Sequence, residues 1–144
     1  MEINEIYSDI IKEYSMSKHN DHGLSDANIH MEGKNPSCGD EIELELKVSD
    51  GLIEDGAFKG IGCAISRASV SIMIDLVRGK TVGEAKDLAA IFLSLLKRED
   101  VTEEELERLE DAAALQNVSN MPARVKCATM PWHTLDRALE NVTQ

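Results

Sequence analysis

Basic residues are scarce in this chain. Its 144 residues include 15 Lys and Arg against 27 Asp and Glu, a formal net charge of −12. Phosphate contacts need a basic face, so the balance argues against nucleic-acid binding. The same sign disfavours an anionic membrane surface. Aromatic residues make up 3%, too few for a base-stacking platform. No apolar run approaches the roughly 20 residues that span a bilayer. The opening Met1-Glu2-Ile3-Asn4-Glu5 has neither a basic n-region nor an apolar h-region. No secretory signal is expected from it, and a cytoplasmic protein is. Cysteines number only three. An odd count in that compartment fits reactive thiols or metal ligands better than a disulfide framework.

The rest of the composition is that of a globular domain. An apolar share of 42% is ordinary. A length of 144 residues predicts one domain, 1–144, with a core of its own. A metal is therefore not needed to replace a missing core, as it is in a zinc finger.

Ile3, Ile6, Tyr7, Ile10, Ile11 and Tyr14 recur at helical spacing and predict an amphipathic opening helix. His19-Asn20-Asp21-His22-Gly23 is a polar connector, and a short strand is expected over Ala27–Met31. From Glu41 to Val48 apolar and charged residues alternate strictly, the pattern of a half-buried antiparallel strand. Asp50-Gly51 is a hairpin signal, and Leu52–Lys59 is the returning strand. After Cys63 the period becomes helical as far as Gly79. Thr81 with Glu84 and Thr102 with Glu105 are capping boxes that open two more helices. The second of these, carrying Leu106, Leu109 and Leu115, is expected to break at 117–121. A last stripe runs through Val125, Ala128, Trp132, Leu135, Leu139 and Val142. Pro131 interrupts it, so a kink or break just after Cys127, or a fresh helix start near Thr129, is expected. Strands first and helices afterwards predict an α+β fold, a small antiparallel sheet of about three strands with helices on one face.

The cysteines sit where chemistry is accessible. Cys38 lies in Asn35-Pro36-Ser37-Cys38-Gly39-Asp40, a turn that sets the thiol on a loop two residues from a carboxylate. Cys63 lies between a strand end and a helix start, where unpaired N–H groups and the helix dipole favour a thiolate. Cys127 follows Arg124 by three residues, at the edge of the last apolar stripe, and Arg124 and Lys126 are expected to favour its thiolate. Any one of these is ordinary. Three thiols with Asp40 supply four donors, the number that closes a tetrahedron around zinc. His19, His22, His30 and His133 are competing donors; His19 and His22 sit in a polar connector that fits solvated side chains better, while His30 is expected on a strand and His133 on the last helix, each a weaker candidate than the cysteines.

The run Asn-Pro-Ser-Cys38-Gly-Asp40, then Phe58-Lys59-Gly60-Ile61-Gly62-Cys63-Ala64-Ile65-Ser66, then Arg124-Val125-Lys126-Cys127, resembles the U-type iron–sulfur cluster assembly proteins over nearly the whole chain. Within them it resembles the SufU branch. IscU-type scaffolds carry a histidine directly before the last cysteine, where this chain has Lys126. The stretch from about Ala90 to Ala113 resembles the SufU helical insertion. The resemblance implies an IscU/SufU-like α+β fold and a zinc site of Cys38, Asp40, Cys63 and Cys127. It implies a SufS-type cysteine desulfurase as partner, a pyridoxal-phosphate enzyme that carries a persulfide, with downstream Suf scaffold proteins beyond it. In the family the partner's histidine displaces the aspartate, which makes Cys38 the sulfur acceptor and Asp40 the exchangeable ligand. Arg124 would serve sulfur transfer or docking. The alternative is a scaffold whose cysteines hold iron in a nascent [2Fe–2S] cluster. A purely structural zinc domain is the third reading, for which Asp40 is an odd ligand.

Overall fold

The alternating segment becomes the centre of a three-stranded antiparallel sheet in the order β1-β2-β3. In this computed structural model, which describes residues 3–140 and residue 142, the elements follow one another as the sequence pattern requires. They are α1 (Ile3–Met16), β1 (Ile29–Asn35), β2 (Asp40–Ser49), β3 (Leu52–Ile61), α2 (Ala64–Val77), α3 (Val82–Leu96), α4 (Glu103–Arg108), a 3-10 stretch (Glu110–Asn120) and α5 (Pro122–Leu139). The side chains of residues 3–7 lie outside the described set, and with them the expected contribution of Ile3, Ile6 and Tyr7 to the first stripe. No helix among the described residues is long and apolar enough to cross a membrane.

On β2, Ile42, Leu44, Leu46 and Val48 point into the core, and Glu41 and Glu43 point to solvent. The Asp50-Gly51 hairpin forms with both residues at positive φ, 52° and 75°, the backbone that a two-residue primed turn requires. Both capping boxes are present, with each Thr accepting from a Glu backbone N–H and each Glu reaching back.

Three expectations need correction. Strand β1 begins at Ile29 rather than Ala27 and continues four residues past Met31 to Asn35. Gly33, Lys34 and Asn35 are poor strand formers. They extend because β2 offers a partner at every position, down to Asn35 opposite Asp40. The helix opened by Thr102 ends at Arg108, well short of the expected break. Glu110 takes φ 49°, a left-handed conformation that stops α-helical continuation. The 3-10 stretch that follows buries Ala112–Leu115 and Val118. The stretch 90–113 thus holds the end of α3, a connector, α4 and the first turn of that 3-10 segment.

The third correction concerns Pro131. Helix α5 runs unbroken from Pro122 to Leu139, with Pro131 buried inside it, so neither a break after Cys127 nor a fresh helix start near Thr129 occurs. An interior proline costs a helix about 3 kcal/mol, and packing on both sides offsets that here. Trp132 stacks on Phe92, ring centroids 4.1 Å apart and 11° from parallel. The Trp132 indole N–H donates to the Ser69 hydroxyl (2.9 Å), which donates to the Ala128 carbonyl (2.6 Å). One residue of α2 therefore pins α5 on both sides of the proline.

Gly33 allows α5 to lie on the sheet. A Cβ at this position would stand 2.2 Å from Thr134 Oγ1 and 2.8 Å from Met130 Sδ. Elsewhere the connector after α1 is tied down by buried Asn20, whose side-chain amide donates to the Ser71 carbonyl and to Asp75. Arg78 bonds Asn20 Oδ1, Asp55 and Asp75, joining β3 to α2.

Two outcomes are expected. Gly33→Ala lowers unfolding free energy by about 1–3 kcal/mol through overpacking, measured by urea denaturation. The second concerns acid. Burial raises the carboxyls of Asp55 and Asp75, but bonds from Arg78 to Asp55, and from Asn20, His19 and Arg78 to Asp75, outweigh it and leave both below 3.8. A depressed native pKa adds stability above the unfolded value and loses it as pH falls through the native one. Urea midpoints should therefore hold steady from pH 7 to about 4 on account of these groups and fall below about 4. Replacing Arg78 by Met should flatten that fall.

Candidate metal centre

Three segments meet at the end of the sheet. The turn between β1 and β2 carries Cys38, whose N–H donates to the Asn35 carbonyl (3.2 Å) and whose thiol is partly exposed. Asp40 opens β2 on its buried face, at 2% exposure. Cys63 occupies the N-cap position of α2, its thiol making no capping bond. Gly62 just before it has no room for a side chain, since a Cβ would meet Ser66 Oγ at 2.3 Å and Asp40 Oδ1 at 2.9 Å. Cys127 projects from α5 beneath Cys38 and is fully buried.

The tertiary fold gathers most of the expected donors. Cys38 and Cys127 bring their sulfur atoms to 3.2 Å. Ligand atoms of Cys38, Asp40 and Cys127 all lie within 4.8 Å of one another. The sulfur of Cys63 falls outside this tightest set, although its thiol is among the groups acting on Cys127. Cys63 also touches the cluster through its backbone, which donates to Asp40 Oδ1 (2.9 Å). Arg124 reaches Cys38 Sγ from the solvent side (3.8 Å). Lys126 is exposed on the outer side of α5. Among the described residues no histidine joins the thiol cluster. His19 pairs with Asp75, His30 with Glu43 and Glu45.

Electrostatics within the cluster run in two directions. Burial, followed by bonds with the Cys38 and Cys63 thiols and Asp40, pushes the Cys127 thiol far above the ordinary range. This corrects the expectation of an edge position whose thiolate Arg124 and Lys126 favour. Cys127 is fully buried, the first buried residue of α5, and desolvation dominates there. Burial also acts to raise the Asp40 carboxyl. The Cys63 N–H, the Asn35 amide, the Cys127 thiol and the Ser66 hydroxyl outweigh it, so the group stays ionised below the usual carboxylate value. Arg124 is pushed up by its contact with Cys127 and by the nearby Cys63 and Cys38.

Two residues of this site carried no role in the sequence reading. Asn35 donates to Asp40 Oδ2 (3.1 Å) and to Cys127 Sγ (3.5 Å). Ser66 donates to Asp40 Oδ1 (3.1 Å). Ser66 stands at the third position of α2, where its hydroxyl reaches back over the N-terminus to the Cys63 carbonyl (3.0 Å), so spacing alone offered a signal. Asn35 offered one only if β1 had been carried to its true end. The donors fit a thiophilic ion. Sulfur suits zinc and iron, and one hard carboxylate completes a mixed set.

Fold and thiol cluster together mark a class, the U-type proteins of iron–sulfur cluster assembly. The chain belongs to the NifU-like N-terminal domain family, whose model matches residues 6–142. It is 40% identical over 139 residues to the iron–sulfur cluster assembly scaffold protein IscU of Thermotoga maritima, covering 96% of each chain. It is 34% identical over 137 residues to the zinc-dependent sulfurtransferase SufU of Bacillus subtilis, covering 95% of this chain and 91% of that one. A crystal structure from Fervidobacterium islandicum, described as a putative iron–sulfur cluster assembly scaffold protein for the SUF system, superposes with a TM-score of 0.85. It is 38% identical, and the match covers 94% of this chain and 98% of that one.

The burial difference between the two adjacent thiols has a direct readout. In reduced, metal-free protein iodoacetamide should label Cys38 at least about tenfold faster than Cys127, because reactivity follows exposure and thiolate character. A mass-spectrometric time course of the two peptides measures it.

Proposed function

We propose that this protein accepts sulfur from a SufS-type cysteine desulfurase during iron–sulfur cluster assembly, with zinc held by Cys38, Asp40, Cys63 and Cys127. The observation that carries this reading is the asymmetry of the paired thiols. Cys38 is partly exposed under the Arg124 guanidinium, and Cys127 is sealed beneath it. A sulfur donor arriving from solvent meets Cys38 first.

Bound zinc would hold the cysteines as thiolates at neutral pH. The remaining chemistry belongs to the chain. The Cys38 thiolate attacks the outer sulfur of the donor persulfide. A new S–S bond forms, the donor's S–S bond breaks, and the donor leaves as a thiolate. Arg124 offsets the negative charge that gathers around Cys38. Asp40 is the ligand suited to give way. Its oxygens already accept from Cys63 N–H, Ser66 and Asn35, so on release it is not left as an unpaired buried charge.

A scaffold for a [2Fe–2S] cluster is the second reading, favoured by the name of the Thermotoga relative. The same cysteines would serve as iron ligands. Lys126 counts against it, since an exposed ammonium is no substitute for an imidazole ligand.

Protein purified without added metal should contain one equivalent of zinc and stimulate desulfurase turnover. Cys38→Ala should reduce turnover to that of the desulfurase alone. Full stimulation by Cys38→Ala removes the acceptor role, and an oxygen-sensitive iron chromophore in place of zinc supports the scaffold.

A further inference from the structure

The exposed face of the sheet carries a second group of donor atoms. His30 on β1 stands directly opposite Glu45 on β2, and Glu43 is the next outward residue of β2. His30 Nδ1 lies 3.1 Å from Glu45 Oε2 and 3.3 Å from Glu43 Oε1. One ligand atom from each of the three lies within 4.8 Å of the other two. The group borders a groove of about 640 Å³, lined also by Glu32, Glu41, Lys59 and Ile61.

We propose that His30, Glu43 and Glu45 bind a divalent first-row cation of the zinc, iron or manganese class. This proposal is independent of the sulfur-transfer reading.

The first argument is charge. Glu32 lies directly opposite Glu43 across the two strands, a like-charge pairing that destabilises a sheet. Lys34 answers Glu32 and Glu41, at 3.2 and 3.9 Å. Lys59 stands opposite Glu43 on β3, but among the described residues the ion pairs within 4 Å that reach Glu43 and Glu45 come from His30 alone. One Nδ1 proton aligns with one carboxylate at a time, whereas a divalent ion bonded to Nδ1 satisfies both.

Preorganisation is the second argument. Glu45 is not a free surface side chain, being only 13% exposed. Its Oε1 accepts the Leu24 backbone N–H (3.2 Å), which leaves Oε2 aimed at His30. The third argument is spacing. Bonds of about 2.1 Å set neighbouring ligands roughly 3.0–3.4 Å apart, and both measured separations fall in that interval. One imidazole with two carboxylates suits borderline and hard divalent ions. Of the three ligands His30 and Glu43 line the groove, which leaves coordination positions for water, so the ion would exchange readily.

The site is separate from the thiol cluster. Glu43 and Glu45 lie on the outward face of β2, and Asp40 and Ile42 on the buried one. Manganese(II) titration of the full chain, followed by paramagnetic broadening of amide resonances, distinguishes the two sites by position. Broadening should centre on residues 30, 43 and 45 while resonances around Cys127 stay sharp. His30→Ala and Glu45→Gln should each raise the required manganese about tenfold or more, and the same spectra report that each variant is folded. Broadening centred on Asp40, uniform broadening, or midpoints unchanged in both variants overturns the assignment.

Discussion

The Asp40 carboxylate is the contact on which the geometry of the thiol cluster depends. A buried charge persists only where donors replace the water it has lost. Three elements supply them. Asn35 comes from the end of β1, the Cys63 N–H from the strand-to-helix junction, and Ser66 from the first turn of α2. Meeting that one electrostatic demand fixes the approach of Cys63 to the turn that carries Cys38. It also explains why Gly62 is bare, since any side chain would enter the space between Ser66 and Asp40.

Cys127 reaches the cluster by a different route, hydrophobic rather than polar. Its place is set by how α5 docks, and α5 docks through the Trp132–Phe92 stack, the Ser69 relay and the missing side chain at Gly33. These contacts bury Ala128, Met130, Trp132, Leu135 and Leu139, apolar burial that favours a helix continuous through its interior proline despite the missing hydrogen bond. Asn35 then bridges the two systems, donating to Asp40 and to Cys127. The polar and apolar halves of the fold meet at that amide.

Charge is distributed unevenly around this core. In a chain of net charge −12, Lys34, Lys126, His133 and Arg137 line one groove beside the Cys38 turn, and Arg124 lines the next. Carboxylates gather on the outward sheet face, where Glu32, Glu41 and Glu43 line one groove with Lys59, and Lys34 pairs with Glu32 and Glu41. Field lines from such an arrangement bring anions to the thiols and cations to the sheet. Both proposals, an anionic persulfide meeting Cys38 and a divalent cation at His30, have the sign the local surface favours.

Local signals in the sequence determined the sheet, the Asp50-Gly51 hairpin, both capping boxes and the candidacy of Cys38, Asp40, Cys63 and Cys127. Each is a property of a few neighbouring residues, where period, turn chemistry and helix capping act over short range. Tertiary structure alone decided the reach of β1 to Asn35, the continuity of α5 through Pro131, the 3-10 course after Glu110 and the burial of Cys127. In each of these, packing against a distant partner overrode a local propensity worth at most a few kcal/mol. The roles of Asn35 and Ser66 belong with them, because a hydrogen bond to a buried carboxylate exists only once the chain has buried it.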